Sequence, residues 1–330
     1  MLPLKKWRVS LNQVVHDEKE IGMRLTTLLE AALLEDEEFA HLKAANTSAE
    51  AAQKRLDEIA TKICEKVGAD ALIEHMRVVY DKTANTYSAN PEHKHVPDAL
   101  LTFMGYCSDR AHVLDLGCGF GRDATFMALR DPEVRKEFMG RMKDGKTAFE
   151  RFGLPTKSIR VVGIDCSEQM VLAADRFAEA HGLFTDPGDF SDTVFLDRID
   201  MHKIGGVPCF GELFDGVWSS AALFMHTPQT LIHPAFESVA KVLRFGGIFG
   251  VSYANNSGGL PYDNLRYSRT GEIKYFSRPT PRIVAVVASA SGFILREEQY
   301  SDFEMAGKVQ KDFFVTQFFQ KSRCAERKYS

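Results

Sequence analysis

The run Val113-Leu-Asp-Leu-Gly-Cys-Gly-Phe-Gly121 constrains this chain most: an apolar strand that empties directly into three glycines at alternate positions. Glycine at Gly117, Gly119 and Gly121 permits a tight turn, positive φ and close approach of backbone to a ligand. The next residues, Arg122-Asp-Ala-Thr-Phe-Met-Ala-Leu-Arg130, read as a helix whose first N–H groups face whatever fills the loop. Such a turn also serves merely to pack a strand against a helix, so other features have to decide.

Two details point away from a pyrophosphate. The glycine spacing is G-x-G-x-G, not G-x-G-x-x-G, and Asp115 sits in the strand end before the first glycine. A carboxylate there repels phosphate and suits a cationic ligand, because opposite charges attract more strongly in a shielded cleft than in bulk water. A second apolar strand, Arg160-Val-Val-Gly-Ile-Asp165, ends in an acid, the arrangement by which α/β nucleotide folds bond ribose hydroxyls. The alternative reading is that Asp165 is only the N-cap of a helix beginning near Ser167. The usual interval from loop to acid is about 20 residues; here Asp131 to Ile159 intervenes, broken by Pro132, Gly140, Gly145, Gly153 and Pro155, and reads as an insertion whose removal restores that interval. Its lysines and arginines are diluted by acids, the pattern of a solvated excursion rather than a nucleic-acid patch. A third acid, Asp200, closes Arg198-Ile-Asp-Met201.

Around these motifs, short apolar runs alternate with helical stretches from about residue 100, the mark of βαβ units and a parallel sheet. The expected strands are Ala111–Leu116, Arg160–Ile164, Thr193–Ile199, Phe214–Ser219 and Gly247–Val251, with Ile294–Tyr300 and Phe313–Gln320 forming an edge hairpin. Before residue 75 the pattern is helical: Ile21, Leu25, Leu28, Leu29 and Ala32 recur at helix spacing, as do Ala52, Leu56, Ile59, Ile63 and Val67. Thr47 and Glu50 fit a capping box, Gly68 is placed to stop the second helix, and a third runs from Asp70 through Val79. The expected organisation is therefore an N-terminal helical extension or cap over 1–74 and a main domain over 75–330 carrying an insertion at 131–159. A net charge of −4 argues against a general nucleic-acid binder. The six cysteines are scattered singly without zinc-ligand spacing, no membrane span or secretory leader is read, and a cytoplasmic home is expected.

Taken in order, these runs resemble the class I S-adenosylmethionine-dependent methyltransferases, especially the small-molecule type, over roughly residues 78 to 320. The resemblance implies an α/β fold with a doubly wound, Rossmann-like, seven-stranded and mostly parallel sheet containing one antiparallel strand. It also implies S-adenosyl-L-methionine as cofactor. The methionine moiety maps to Asp115, Gly117, Cys118, Gly119 and Gly121, with Arg122-Asp123 repeating a common ending of the subgroup. The ribose maps to Asp165, the adenine to Cys166, Met170, Asp200 and Met201, and Ser219 at the end of the fourth strand joins the cofactor side. Tyr80 and Tyr87 match a Tyr-Asp-x-x-Ala-x-x-Tyr segment that folds over the cofactor near its methyl group. Two departures stand out: Phe245 replaces the usual proline of a Lys-Pro-Gly-Gly turn, and Ser219 to His226 carries one extra residue, which leaves the orientation of His226 open.

Methyl transfer from a sulfonium is an in-line displacement in which the protein mainly positions the nucleophile and excludes water. His226 is the candidate base for an O or N nucleophile, or a histidine that holds its loop. Tyr80 orients the methyl group, lines the acceptor site or only packs. Tyr253, Asn255, Asn256, Tyr262, Arg266 and Tyr267, after the fifth strand, are expected around a polar small-molecule acceptor. An RNA or protein methyltransferase gripping its substrate with the insertion and helical cap, and a non-catalytic cofactor-binding partner protein, stay open as alternatives; oligomeric state is not read.

Overall fold

The computed structural model describes residues 32–33, 49–90, 93, 96–131, 133–135, 157, 159–183, 193–196, 199–256, 261–267, 272–305 and 308–322. The expected helix over Ile21, Leu25, Leu28 and Leu29, Thr47 of the capping box and most of the 131–159 insertion lie outside them.

The first helices with described bounds are α1 (Ala49–Val67) and α2 (Ala69–Ala89), separated by Gly68 alone. Gly68 has φ +84, a conformation open to glycine and strained for other residues, and it lets the chain change direction within one residue. The helix expected to end near Val79 continues to Ala89, so α2 runs unbroken across the expected boundary at 74/75 and carries both Tyr80 and Tyr87. After α3 (Asp98–Tyr106), β1 (His112–Leu116) leads into α4 (Arg122–Ala128), β2 (Arg160–Ile164), α5 (Glu168–Ala180), β3 (Thr193–Leu196) and β4 (Phe214–Ser220). Then come α6 (Ile232–Val242), β5 (Leu243–Ala254), β6 (Asp263–Tyr267), β7 (Ile273–Ser277), α7 (Pro281–Ala290), β8 (Phe293–Met305) and β9 (Lys308–Lys321).

The main sheet has seven strands in the order β3-β2-β1-β4-β5-β9-β8. The first five are parallel and β9 runs antiparallel between β5 and β8, the doubly wound sheet with an edge hairpin that the sequence leads one to expect. Side chains alternate across it as a pleat requires. Val113, Trp218 and Phe318 join a core under α3, α4 and α5, while Leu114, Val217 and Phe319 join one under α6 and α7. The chain leaves β1 for β2 and β3 on one side, then crosses to β4 and β5 on the other. The carboxyl ends of β1 and β4 therefore part into a crevice, where open α/β sheets bind ligands.

One element has no counterpart among the expected strands. β6 and β7 form a separate antiparallel hairpin, and Leu265 and Tyr275 on it share a small core with Leu56, Ile59 and Ile63 of α1 and with Leu72 and Met76 of α2. The helical extension is thus packed against a hairpin that arises after β5. Two basic residues of the insertion, read as solvated, instead turn inward. Arg135 is 1% exposed and donates to the carbonyls of Met127 and Lys157, and Lys157 Nζ caps α3 by donating to the carbonyls of Met104, Gly105 and Cys107. A cation at a helix C-terminus satisfies carbonyls that have no partner within the helix. Among the described residues no helix is long and apolar enough to cross a membrane.

Candidate active site

A cavity of about 1410 Å³ opens at the carboxyl ends of β1 to β5 and is roofed by α2 and β7. That exceeds the roughly 300–1,000 Å³ of a site for one small molecule, and leaves room for two ligands side by side.

Its floor is the glycine loop. The N–H groups of Gly117 and Cys118 both donate to the carbonyl of Ile164, which ties the loop to the end of β2. Gly117, Gly119 and Gly121 all adopt positive φ, at +68, +55 and +77. A Cβ on Gly117 would collide with the Cβ of Ala222, whereas Gly119 has nothing within 4 Å and leaves open space above it. Gly121 behaves differently from the expectation: it is absent from the cavity wall, and a Cβ there would meet Ala174 at 2.8 Å and Phe195 at 2.9 Å. Its role is close packing of α4 on α5 and β3.

Asp115 lies on the wall, 2% exposed. One carboxyl oxygen accepts the N–H of Ala124, and Oδ2 has no partner among the described residues. Burial, with Asp123 and Asp165 nearby, pushes its carboxyl well above the usual range despite the opposing pull of Arg122. Asp165 accepts from Gly119 N at 3.0 Å through Oδ2 and from Ser167 N at 2.8 Å through Oδ1. Burial raises it to about 6 against these hydrogen bonds. The helix cap that the sequence left open for Asp165 belongs to Ser167, whose Oγ accepts from Met170 N. Each carboxylate oxygen offers about two acceptor sites, so Asp165 keeps capacity toward the cavity. Asp200 is held by His202, whose backbone N and Nδ1 reach its Oδ1 at 2.8 and 2.7 Å, and has Lys203 3.5 Å from Oδ2. Burial pushes Asp200 up, but those partners outweigh it and hold the carboxyl below its ordinary value.

Cys118, Cys166, Met170 and Met201 line the same end of the cavity. Burial pushes both Cys118 and Cys166 thiols well up, so they present as apolar surface rather than thiolates. Arg122 also lines it, clamped by Asp123 Oδ1 at 2.6 Å and donating to the carbonyl of His93 at 3.0 Å; Asp123 in turn accepts from Trp218. Ser219 is the second departure: it is fully buried, donating to Leu116 O and accepting from Leu223 N, and does not reach the wall. It stitches β4 to β1.

The extra residue between Ser219 and His226 is absorbed at Ala221, which takes φ +52, and by a 3-10 turn over Leu223–Met225. His226 thereby points into the cavity. Its Nδ1 lies 3.0 Å from the carbonyl of Tyr275, which makes Nδ1 the donor and leaves Nε2 as acceptor for the Tyr80 hydroxyl at 2.9 Å. Burial, aided by Lys274 and His202, lowers His226 to about 4 against that carbonyl bond, and burial raises the Tyr80 phenol well above its ordinary value. Tyr87 sits edge-on to Tyr80 with ring centroids 6.0 Å apart and lies on His93 at 3.9 Å. α2 is latched over the site by Asp81, which accepts from Ser167 Oγ at 2.7 Å and pairs with Arg77 at 2.7 Å.

The acceptor set expected after β5 is elsewhere. Tyr253 is buried, with its hydroxyl donating to Gln317; Asn255 and Asn256 bond the carbonyls of Asp312 and Arg278; and neither these nor Tyr262 and Arg266 line the cavity. Tyr267 is the last residue of β6. The wall beyond His226 is built instead by Lys274 and Phe276 of β7 and by Gln299, Phe303, Phe313 and Phe314 of β8 and β9. The sequence signal for Lys274 and Phe276 is the aromatic, strand-prone run Ile273-Lys-Tyr-Phe-Ser277.

No family model matches this sequence, and neither does any curated protein. Solved structures of similar shape include an S-adenosylmethionine-dependent methyltransferase from Methanosarcina mazei, at 15% identity over 66% of this chain and 95% of that one, with a TM-score of 0.48. A complex of DhpI with SAH is similar at 19% identity, over 76% of this chain and 98% of the other, TM-score 0.49. So is 1,6-didemethyltoxoflavin-N1-methyltransferase of Burkholderia thailandensis, with bound 1,6-didemethyltoxoflavin and S-adenosylhomocysteine, at 16% identity over 74% and 87% of the two chains and a TM-score of 0.46.

Proposed function

We propose that this chain is a class I S-adenosylmethionine-dependent methyltransferase that moves a methyl group in line onto an O or N nucleophile of a polar small molecule. The observation that carries the reading is Asp115: a buried carboxyl with one unpartnered oxygen, aimed into a cavity between a glycine loop and two further acids. An unpaired buried carboxylate is costly, and a cationic ligand is what relieves that cost. The ammonium of an amino-acid-bearing cofactor fits there; a pyrophosphate would face Asp115, Asp123 and Asp165 together.

Asp115 and the backbone around Gly117 and Gly119 would hold the methionyl part, the spare acceptor sites of Asp165 the ribose hydroxyls, and Asp200 with Cys166, Met170 and Met201 the adenine. The bound cofactor supplies an activated methyl group together with its own leaving group. What the chain adds is position and dryness. Tyr80 and Tyr87 on the latched α2 close the cavity against water, and the Tyr80 oxygen faces the space between the two ligands. Because His226 sits near 4, it is a weak proton store. Its work is to orient Tyr80: Nε2 accepts the hydroxyl hydrogen bond, leaving the oxygen lone pairs to accept a hydrogen bond from the incoming nucleophile, whose proton leaves to solvent.

Calorimetry with S-adenosylhomocysteine tests the cofactor assignment. Binding by the unaltered chain that weakens on Asp115→Asn is expected; no binding, with nicotinamide dinucleotide bound instead, would overturn it.

A further inference from the structure

Lys274 is the cation of this cavity that has no assigned work. It shares one face of β7 with Phe276, two residues on, and both line the wall beyond His226, while Tyr275 between them turns to the opposite side and is buried with α1 and α2. Its ammonium lies over the ring of Tyr80, 4.5 Å from the centroid, and 5.9 Å from that of Tyr87, so it faces the ring whose hydroxyl His226 holds. Among the described residues it has no hydrogen-bond acceptor. The carboxylate nearest in effect, Glu272, is paired with Lys82 at 3.7 Å. By contrast Arg122, the cation beside the glycine loop, donates to Asp123 and to the His93 carbonyl. The same cavity wall carries aromatic surface: Phe276 is 5.4 Å from His226, and Phe303 stacks on Phe313 at 5.1 Å.

We infer that the methyl acceptor is a small molecule with an apolar, ring-like body and an anionic oxygen group, a carboxylate or phosphate, which Lys274 binds while Phe276, Phe303 and Phe313 take the body. This rests on the methyltransferase reading and names the substrate class of the same site. An ammonium bonded to an anion gains a charge-assisted hydrogen bond that the aromatic faces of Tyr80 and Tyr87 do not give it. The seating has a second consequence. Lys274 is among the groups that depress His226, so an anion placed on it removes that repulsion and strengthens the hold of Nε2 on the Tyr80 proton as the acceptor arrives.

The test starts from a metabolite extract split on an anion exchanger into retained and unretained pools, each then incubated with the full chain and methyl-labelled S-adenosylmethionine. Label is expected in the retained pool. Lys274→Gln should cut that transfer by at least about tenfold, the size of a lost hydrogen bond to a charged group, with S-adenosylhomocysteine affinity unchanged, and Lys274→Arg should keep most of it. Label confined to the unretained pool, an undiminished Lys274→Gln, or S-adenosylhomocysteine binding without label in either pool overturns the inference. So does a Lys274→Gln variant that loses S-adenosylhomocysteine affinity, which would put Lys274 on the cofactor. Failure of the unaltered chain to bind S-adenosylhomocysteine overturns the cofactor reading instead.

Discussion

The two ends of the cavity are built in different ways. At the glycine-loop end, each polar group follows a strand of the parallel sheet within a few residues: Asp115 in β1, Asp165 after β2, Asp200 after β3. At the far end, the paired groups come from remote parts of the chain. Tyr80 and His226 are 146 positions apart, and the carbonyl that sets the His226 tautomer lies on a hairpin outside the main sheet. The first end is held by backbone and the sheet itself; the second exists only once α2, β7 and the β8–β9 hairpin have closed on one another. Substitutions at the first end should act on binding, and those at the second on turnover.

The largest effect expected is at the closed end. On the proposed reaction, Tyr80→Phe removes the oxygen that would orient the nucleophile and should lower kcat by about 10²-fold, the cost of misplacing a reacting group, with little change in S-adenosylhomocysteine affinity. An equal loss in affinity would erase the division between the two ends. At the loop end, Gly117→Ala forces a side chain into a left-handed conformation and against Ala222, so thermal unfolding should show a loss of at least about 2 kcal/mol. Wild-type stability would mean the loop is softer than its contacts imply.

Asp115→Asn should weaken cofactor binding by about 1.5–3 kcal/mol, and Asp165→Ala by about 1–3 kcal/mol, the range for hydrogen bonds to charged groups. Because Asp115 is raised by burial and by its acidic neighbours, a bound ammonium should lower it again and expel a proton. Calorimetry in buffers of different protonation enthalpy should then show proton release by the wild-type chain and much less by Asp115→Asn. Unchanged affinity in either variant would remove that acid from the cofactor.

The smallest effect is a pH dependence. His226 is depressed from 6.5 to about 4 on folding, so between those values the unfolded chain binds more protons. Its contribution to stability is intact above about pH 6.5 and falls as the pH drops toward 4. Asp165, raised from 3.8 to about 6, runs the other way and loses stability as pH rises through that window. The two offset each other in the wild type, and His226→Gln should gain thermal stability relative to it on going from pH 7 to pH 5. A constant difference would show that His226 is not held neutral.

The contrast also marks what was legible in residue order. Glycines at alternate positions after an apolar strand, and an acid at each strand end, follow from backbone geometry that a few neighbouring residues determine. The five parallel strands and the edge hairpin could therefore be placed before any coordinates. Gly121 and Ser219 show where this stops: both belong to the right segment, yet each turns toward packing, Gly121 against Ala174 and Phe195 and Ser219 against Leu116. Which face a residue presents depends on neighbours from other elements.

By itself, then, the sequence determined the βαβ order, the glycine loop and the positions of Asp115, Asp165 and Asp200, because short-range strand and turn geometry sets each of them. Only the tertiary structure decided that Tyr80 meets His226, that Lys274 and Phe276 replace the polar residues after β5 in the wall, and that His226 is a buried neutral ring holding Tyr80. Those are matters of long-range closure and desolvation, and both arise when distant segments exclude water together.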